Sequence, residues 1–190
     1  MKMDTYLKIQ KTILEMFEDR NYNIQNKIDD YDNSCDIALL ATAITKDEER
    51  VDAFIIYKRM GKNEIIKFFT SNIVSRHIIL ISKDDFTSFA KQVLIEKRQE
   101  GFKIEFFLHK EVIFNITRHR FQPKFEIMNT EDVQELLKHL QCKLTSLNKM
   151  LKTDPIARYY NALPKQVFKI SRDFLRGDSH HIGLNYRVVI

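Results

Sequence analysis

Glycine and proline are scarce in this chain, with four and three among 190 residues. Four glycines spread over that length cannot build a glycine-rich phosphate loop, which excludes the usual nucleotide-binding signatures. Two cysteines, Cys35 and Cys142, exclude a disulfide scaffold and supply no zinc-knuckle spacing. Both thiols are expected to be free, in a reducing compartment. No apolar run approaches the ~20 residues of a membrane span, and the longest, near Ile37–Ile44, is closed by polar residues at both ends. No apolar segment follows Met1-Lys2-Met3-Asp4, so a secretory signal is not expected. HExxH, GxSxG and paired CxxC are missing, and no aspartate or glutamate has a lysine two positions on, which removes the acid-x-Lys signature of a small nuclease. The histidine doublet His180-His181 has only Asp178 nearby and reads as a turn decoration. The carboxylate pairs Asp29-Asp30 and Asp84-Asp85 read as caps or solvated turns. No catalytic residue, metal site or cofactor is expected.

What is present is an ordinary globular composition, 44% hydrophobic and 30% charged, with an uneven distribution of charge. Residues 1–57 carry 7 basic against 12 acidic side chains, residues 58–116 carry 11 against 7, and residues 117–190 carry 13 against 7. A basic C-terminal two-thirds suits a polyanion or an acidic protein partner, the plainer reading being a solvated basic face.

All three prolines lie after residue 116, and polar Thr117-Arg118-His119-Arg120 runs into Gln122-Pro123-Lys124. This change of style divides the chain into domains at residues 1–116 and 117–190. In the first, Ile9, Ile13, Met16 and Phe17 recur at helical spacing, widened by Leu7 and Leu14. A helix is expected from Cys35 to Ala43, a strand at Phe54–Tyr57, a turn at Gly61, a helix from Asn63 to about Val74 and a strand at His77–Ile81. Ser82 is expected to cap a helix that carries Asp84 and Asp85 in its first turn and ends near Gly101. Strands follow at Lys103–Leu108 and Glu111–Ile116. Helices alternating with strands make this an α/β domain.

In the second part, Thr130 begins a helix with Glu131 and Asp132 in its first turn and Val133, Leu136, Leu137 and Leu140 as its buried stripe. Leu144, Leu147, Met150 and Leu151 form another apolar stripe. Asp154 is a good N-cap, and Pro155 fits the first helical position, where its missing N–H costs nothing. A short helix through Ala157, Arg158 and Tyr159 should follow, then a strand at Val167–Ile170. The last segment alternates Ile182, Leu184, Tyr186, Val188 and Ile190 against Gly183, Asn185 and Arg187. The second domain is therefore expected to be a small α+β unit with a terminal β-hairpin.

Six blocks of this second part carry a resemblance. They are Asn115–His119, Pro123-Lys124, Glu135–Lys138, Asp154-Pro155-Ile156-Ala157-Arg158-Tyr159, Val167-Phe168-Lys169-Ile170-Ser171-Arg172, and Tyr186-Arg187. In order and spacing they closely resemble the fifth, common subunit of eukaryotic-type DNA-directed RNA polymerases, whose archaeal counterpart consists of this domain alone. In the first domain the resemblance is thinner and rests on Glu15-Met16, Asp19-Arg20 and Tyr22. There are departures. Phe125 stands where the family has His, Leu147-Asn148 where it has Leu-Pro, and Lys165-Gln166 where it has an Arg-Gly turn. The final hairpin from Arg172 to Arg187 is longer, and the first domain shorter. Such drift suits a fast-evolving lineage, for which a large DNA virus encoding its own polymerase is the guess.

The resemblance implies a non-catalytic subunit, one copy per polymerase and a monomer when free, with no membrane association. Its N-terminal domain would belong to the jaw facing downstream duplex DNA. Its C-terminal domain would serve assembly by packing on the largest subunit beside neighbouring small subunits. The assembly motif then comprises Pro123, Lys124, Asp154, Pro155, Ala157, Arg158, Tyr159, Lys169, Arg172, Tyr186 and Arg187. Arg76, Lys83, Lys91, Lys97 and Arg98 would form the face toward DNA. The site of action would be the nucleus for a cellular chain, or host cytoplasm or virion for a viral one. A free-standing DNA-binding regulator sharing the fold is the alternative, and an enzyme acting on nucleic acid is a third.

Overall fold

The computed structural model describes residues 3–28, 36–71, 73–176 and 179–190, without the side chains of 174–176 and 179–181. Asp29-Asp30 and Cys35, and the side chains of His180-His181, lie outside the described residues. The chain divides into two units, Met1–Asn115 and Ile116–Ile190.

The first unit starts with α1 (Met3–Asp19), whose buried stripe runs through Tyr6, Ile9, Ile13, Met16 and Phe17. Leu7, expected in that stripe, is exposed, because Tyr6 takes the inward position one turn before Ile9 and Gln10. There follow β1 (Asn23–Lys27), β2 (Ile37–Ile44), β3 (Arg50–Ile56), α2 (Lys62–Thr70), β4 (His77–Ser82), α3 (Ser88–Gln99), β5 (Lys103–Leu108) and the single turn α4 (His109–Val112). One five-stranded sheet forms in the order β1-β2-β3-β4-β5. Its first two pairings are antiparallel and its last two parallel. Every residue of β4 is buried, as expected of a parallel strand covered on both faces. Ile78 and Leu80 join Ile65 and Phe68 of α2 and Ala90, Val93 and Leu94 of α3 in one core layer. Ile79 and Ile81 are buried on the opposite face.

Three expectations need correction here. The segment expected as a helix from Cys35 to Ala43 is β2, paired on both sides. Its residues are apolar or small throughout, so no helical period exists to separate the two choices, and strand pairing decides. Ser82 ends β4, and the cap of α3 is Thr87, whose Oγ1 accepts from the Ala90 amide at 3.2 Å. Phe86 must enter the core before the helix can start, so Asp84 and Asp85 remain in the connecting turn. Glu111–Ile116 is no strand, because Glu111 Oε2 accepts from the Leu108 amide at 2.7 Å and turns the chain into α4.

The first unit also encloses a polar cluster. Arg20, its side chain 2% exposed, donates to both oxygens of Glu105 at 2.9 and 2.7 Å. His77 Nε2 lies 2.7 Å from Glu105 Oε1. Tyr22 stacks under the guanidinium at 5.8 Å and meets the His77 ring edge-on. Arg20 and Tyr22, which carry the resemblance in this half, are therefore parts of a buried network.

The second unit contains a 3-10 turn (Ile116–Arg118), β6 (Lys124–Ile127), α5 (Thr130–His139), a second 3-10 turn (Leu144–Ser146), β7 (Asn148–Met150), α6 (Pro155–Tyr159), β8 (Val167–Arg176) and β9 (Ser179–Val189). A four-stranded sheet forms in the order β6-β8-β9-β7, with β8 and β9 as a terminal hairpin. Both sheets therefore belong to mixed α/β units. The segment carrying the stripe Leu144, Leu147, Met150 and Leu151 is a turn and a short strand, and Leu151 is exposed. Nor is the stripe of α5 buried: Val133, Leu136 and Leu137 are half-covered and Leu140 exposed.

With glycine scarce, left-handed turns fall to other residues: Asn21, Glu48, Gln141, Asn161 and Lys165. Lys165, in the pair that stands where the resembling family has an Arg-Gly turn, has φ 72°. A side chain with Cβ is strained there, so Lys165→Gly is expected to stabilise the second unit by up to ~1 kcal/mol, read as a raised Tm.

Candidate assembly interface

α6 is the element that organises this surface. Asp154 Oδ1 accepts from the Ile156 amide at 2.9 Å, and Pro155 occupies the first helical position. The helix then packs Ile156 and Ala157 against Phe168, Ile170 and Met150. Phe168 is fully buried, with Phe125 and Tyr160 at 6.0 and 5.7 Å between ring centroids. Ala157 and Tyr159 are internal, Arg158 is half-buried, and Tyr160 shows part of its ring. The motif residues of α6 thus act on the surface from beneath.

Strand alternation sorts the rest. Phe168, Ile170 and Arg172 of β8 share a face with Arg187, Asn185 and Gly183, their partners on β9. Lys169 and Ser171 share the other face with Tyr186 and Leu184. On the α6 side a groove of about 520 Å³ is lined by Pro123, Asp154, Arg172 and Arg187 over Phe125 and Ile170. Four of the eleven predicted assembly residues, far apart in sequence, are thereby brought together. Both arginines are exposed, and neither has an ion-pair partner among the described residues. Lys124 points elsewhere and pairs with Glu126, whose hydrogen bond from that lysine lowers its carboxyl pKa. Lys169 and Tyr186 border a separate recess against α5, beside Glu135 and Leu136.

Sequence reasoning assigned no site role to Phe121, Ile182 and Leu184, which are 79%, 67% and 52% exposed beside a second depression. The alternation in β9 was visible, but it cannot tell whether the chain itself covers the apolar face. Beyond Arg172 and Gly183 the hairpin has no flanking strand among the described residues, since β6 pairs only as far as Ser171 and the pairing with β7 begins at Arg187. A two-stranded ribbon is marginal when alone in water.

The five basic residues expected on the DNA face, Arg76, Lys83, Lys91, Lys97 and Arg98, do not form one patch. Lys91 pairs with Asp85, Lys97 with Glu100 at 2.7 Å, and Arg98 donates to the Ile104 carbonyl at 2.7 Å. Arg76 and Lys83 have no partner among the described residues and flank opposite ends of β4. Because α3 connects parallel β4 and β5, it runs back along them. Lys91 therefore lies toward the Lys83 end and Lys97 and Arg98 toward the Arg76 end. Among the described residues no group of His, Cys, Asp and Glu could hold a metal ion, and no helix is long and apolar enough to cross a membrane.

Residues 114–189 match the family model described as RNA polymerase Rpb5, C-terminal domain. The chain is 30% identical over 175 residues to the DNA-directed RNA polymerases I, II, and III subunit rpabc1 of Dictyostelium discoideum, spanning 87% of this chain and 89% of that protein. It is 26% identical over 211 aligned positions to the corresponding RPABC1 subunit of Caenorhabditis elegans, spanning 100% of this chain and 98% of the relative. Subunit 5B of RNA polymerases IV and V from Arabidopsis thaliana is 23% identical over 200 positions.

Proposed function

The chain belongs to the Rpb5 family of RNA polymerase subunits, and from that premise we propose that it is a structural, non-catalytic subunit of a multisubunit DNA-directed RNA polymerase, acting in transcription. The unit Ile116–Ile190 docks on the largest subunit beside neighbouring small subunits. The observation that carries this reading is the convergence of Pro123, Asp154, Arg172 and Arg187 on one open groove. Uncovered Ile182 and Leu184 on the same hairpin extend the surface that a partner would bury.

The unit Met1–Asn115 faces downstream duplex DNA. Its contacts are to phosphates, hence independent of sequence and weakened by salt. The side chains of Arg76 and Lys83 are free for this role; Lys91 and Lys97 would exchange surface ion pairs worth little in water, and Arg98 would give up its bond to the Ile104 carbonyl. The free chain is a monomer, present once per polymerase. A cellular polymerase would place it in the nucleus; a viral one, in the host cytoplasm or virion.

A tagged pull-down from the native source, with stoichiometry determined by mass spectrometry, tests this. The two largest polymerase subunits are expected at one-to-one, with residues 116–190 sufficient for capture. Capture by residues 1–115 alone would reverse the assignment of the two units. Recovery of no polymerase subunit by a folded chain would leave a free-standing DNA-binding regulator as the reading.

A further inference from the structure

We infer that the groove beside α6 receives an extended acidic peptide segment, with carboxylates of the pattern acid-x-apolar-x-acid bound by Arg172 and Arg187. The inference rests on the docking reading above and names the chemistry of what docks. Arg187 stands opposite Phe168, four residues along β8 from Arg172. The two arginines are thus about 13 Å apart along the strands, at roughly 3.3 Å per residue. An extended peptide lying along the hairpin covers the same distance in four residues. Residues i and i+4 of such a peptide share a face with i+2, which would meet Ile170 and half-buried Phe125 between the arginines.

Charge complementarity selects the occupant. Two exposed guanidiniums, each a planar fork suited to carboxylate, face the groove, and neither has an ion-pair partner among the described residues. They do not support the sheet, since neither is buried or paired. A nucleic-acid backbone fits less well, because the floor between the arginines is apolar and suits a side chain rather than a phosphate. A peptide supplies what these features need, namely acids for the arginines, an apolar side chain for the floor and backbone N–H groups for the free oxygen of Asp154.

The test uses the full chain and the largest polymerase subunit of the same source, with R172E/R187E and R172K/R187K as variants. Circular dichroism melts should be unchanged, because both side chains are exposed and unpaired. The charge-reversed chain should bind on the order of 100-fold more weakly. The lysine variant should lose about 10-fold, keeping the charge but not the fork. Wild-type binding by R172E/R187E would overturn the inference and leave the docking reading intact. If the wild-type chain binds no subunit, the docking reading fails, and a direct titration decides the groove. NMR of the full chain with the peptide Asp-Ser-Leu-Ser-Asp should then shift the Arg172 and Arg187 side-chain signals, and Asn-Ser-Leu-Ser-Asn should not. No shift with the acidic peptide, or shifts with a short DNA duplex instead, would overturn the inference.

Discussion

Arg20→Ala is expected to destabilise the first unit by ~3–5 kcal/mol, a large fraction of the roughly 5–15 kcal/mol typical of a folded domain. The guanidinium is the only fixed cation bonded to Glu105 among the described residues, and both groups sit where water cannot replace it. Alanine would leave a buried carboxylate with His77 alone. The loss should appear as faster hydrogen exchange of the β4 and β5 amides, which His77 and Glu105 join across adjacent strands. Its pH dependence is distinctive. Burial alone would raise the Glu105 carboxyl, but the charge of Arg20 and the hydrogen bonds from His77 and Arg20 outweigh it and lower the group from 4.5 to about 2. A carboxyl depressed in the folded state stabilises fully above about 4.5 and loses that contribution as pH falls toward about 2. The stability gap between wild type and Arg20→Ala should therefore be widest near neutrality and narrow over that acid range. A gap independent of pH would refute the pairing as its cause. Replacing both partners, in R20M/E105M, should recover most of the loss, since an apolar pair leaves no charge buried.

Phe168→Ala should have a comparable effect on the second unit, ~3–5 kcal/mol from lost burial and the cavity left behind. Phe168 is fully buried on β8, between Ile127 of β6 and Arg187 of β9 in the pairing. Its ring holds Phe125 on one side and Tyr160 on the other, so its loss removes the support beneath the groove floor. In denaturant titration the midpoint for the second unit should fall steeply, and Phe168→Leu should restore most of it. Full stability of the alanine variant would mean that the sheet and α6 do not share one core.

Mixed α/β structure with a terminal hairpin was legible in the sequence, as was membership of the polymerase subunit family. So were α1, β4, α5 and the Asp154-Pro155 start of α6, for a common reason. Each is governed by local chemistry: a helical stripe, a run apolar on both faces, a capping side chain beside a residue with fixed φ. Failures came where local chemistry allowed two answers. Ile37–Ile44 has no polar face, so only pairing with its neighbours on both sides makes it a strand. Thr87 replaces Ser82 as a cap because Phe86 has to reach a core whose position lies in other elements.

The same division runs through the candidate site. The residue types were readable by themselves, including Arg172 and Arg187 on alternating strands and the shortage of glycine that puts Lys165 at positive φ. Which of them meet was not. Hairpin register alone puts Arg172, opposite Gly183, and Arg187, opposite Phe168, on the face shared with α6, and a shift of one residue would have sent one of them to the other side. Burial was likewise undecided, since periodicity marks an apolar face without saying what covers it. Tyr159 went inside while Ile182 and Leu184 stayed out. The chain by itself determined its elements and its kinship. Contacts between residues distant in sequence decided which motif residues became core and which line an open groove, because burial and register are properties of the packed sheet.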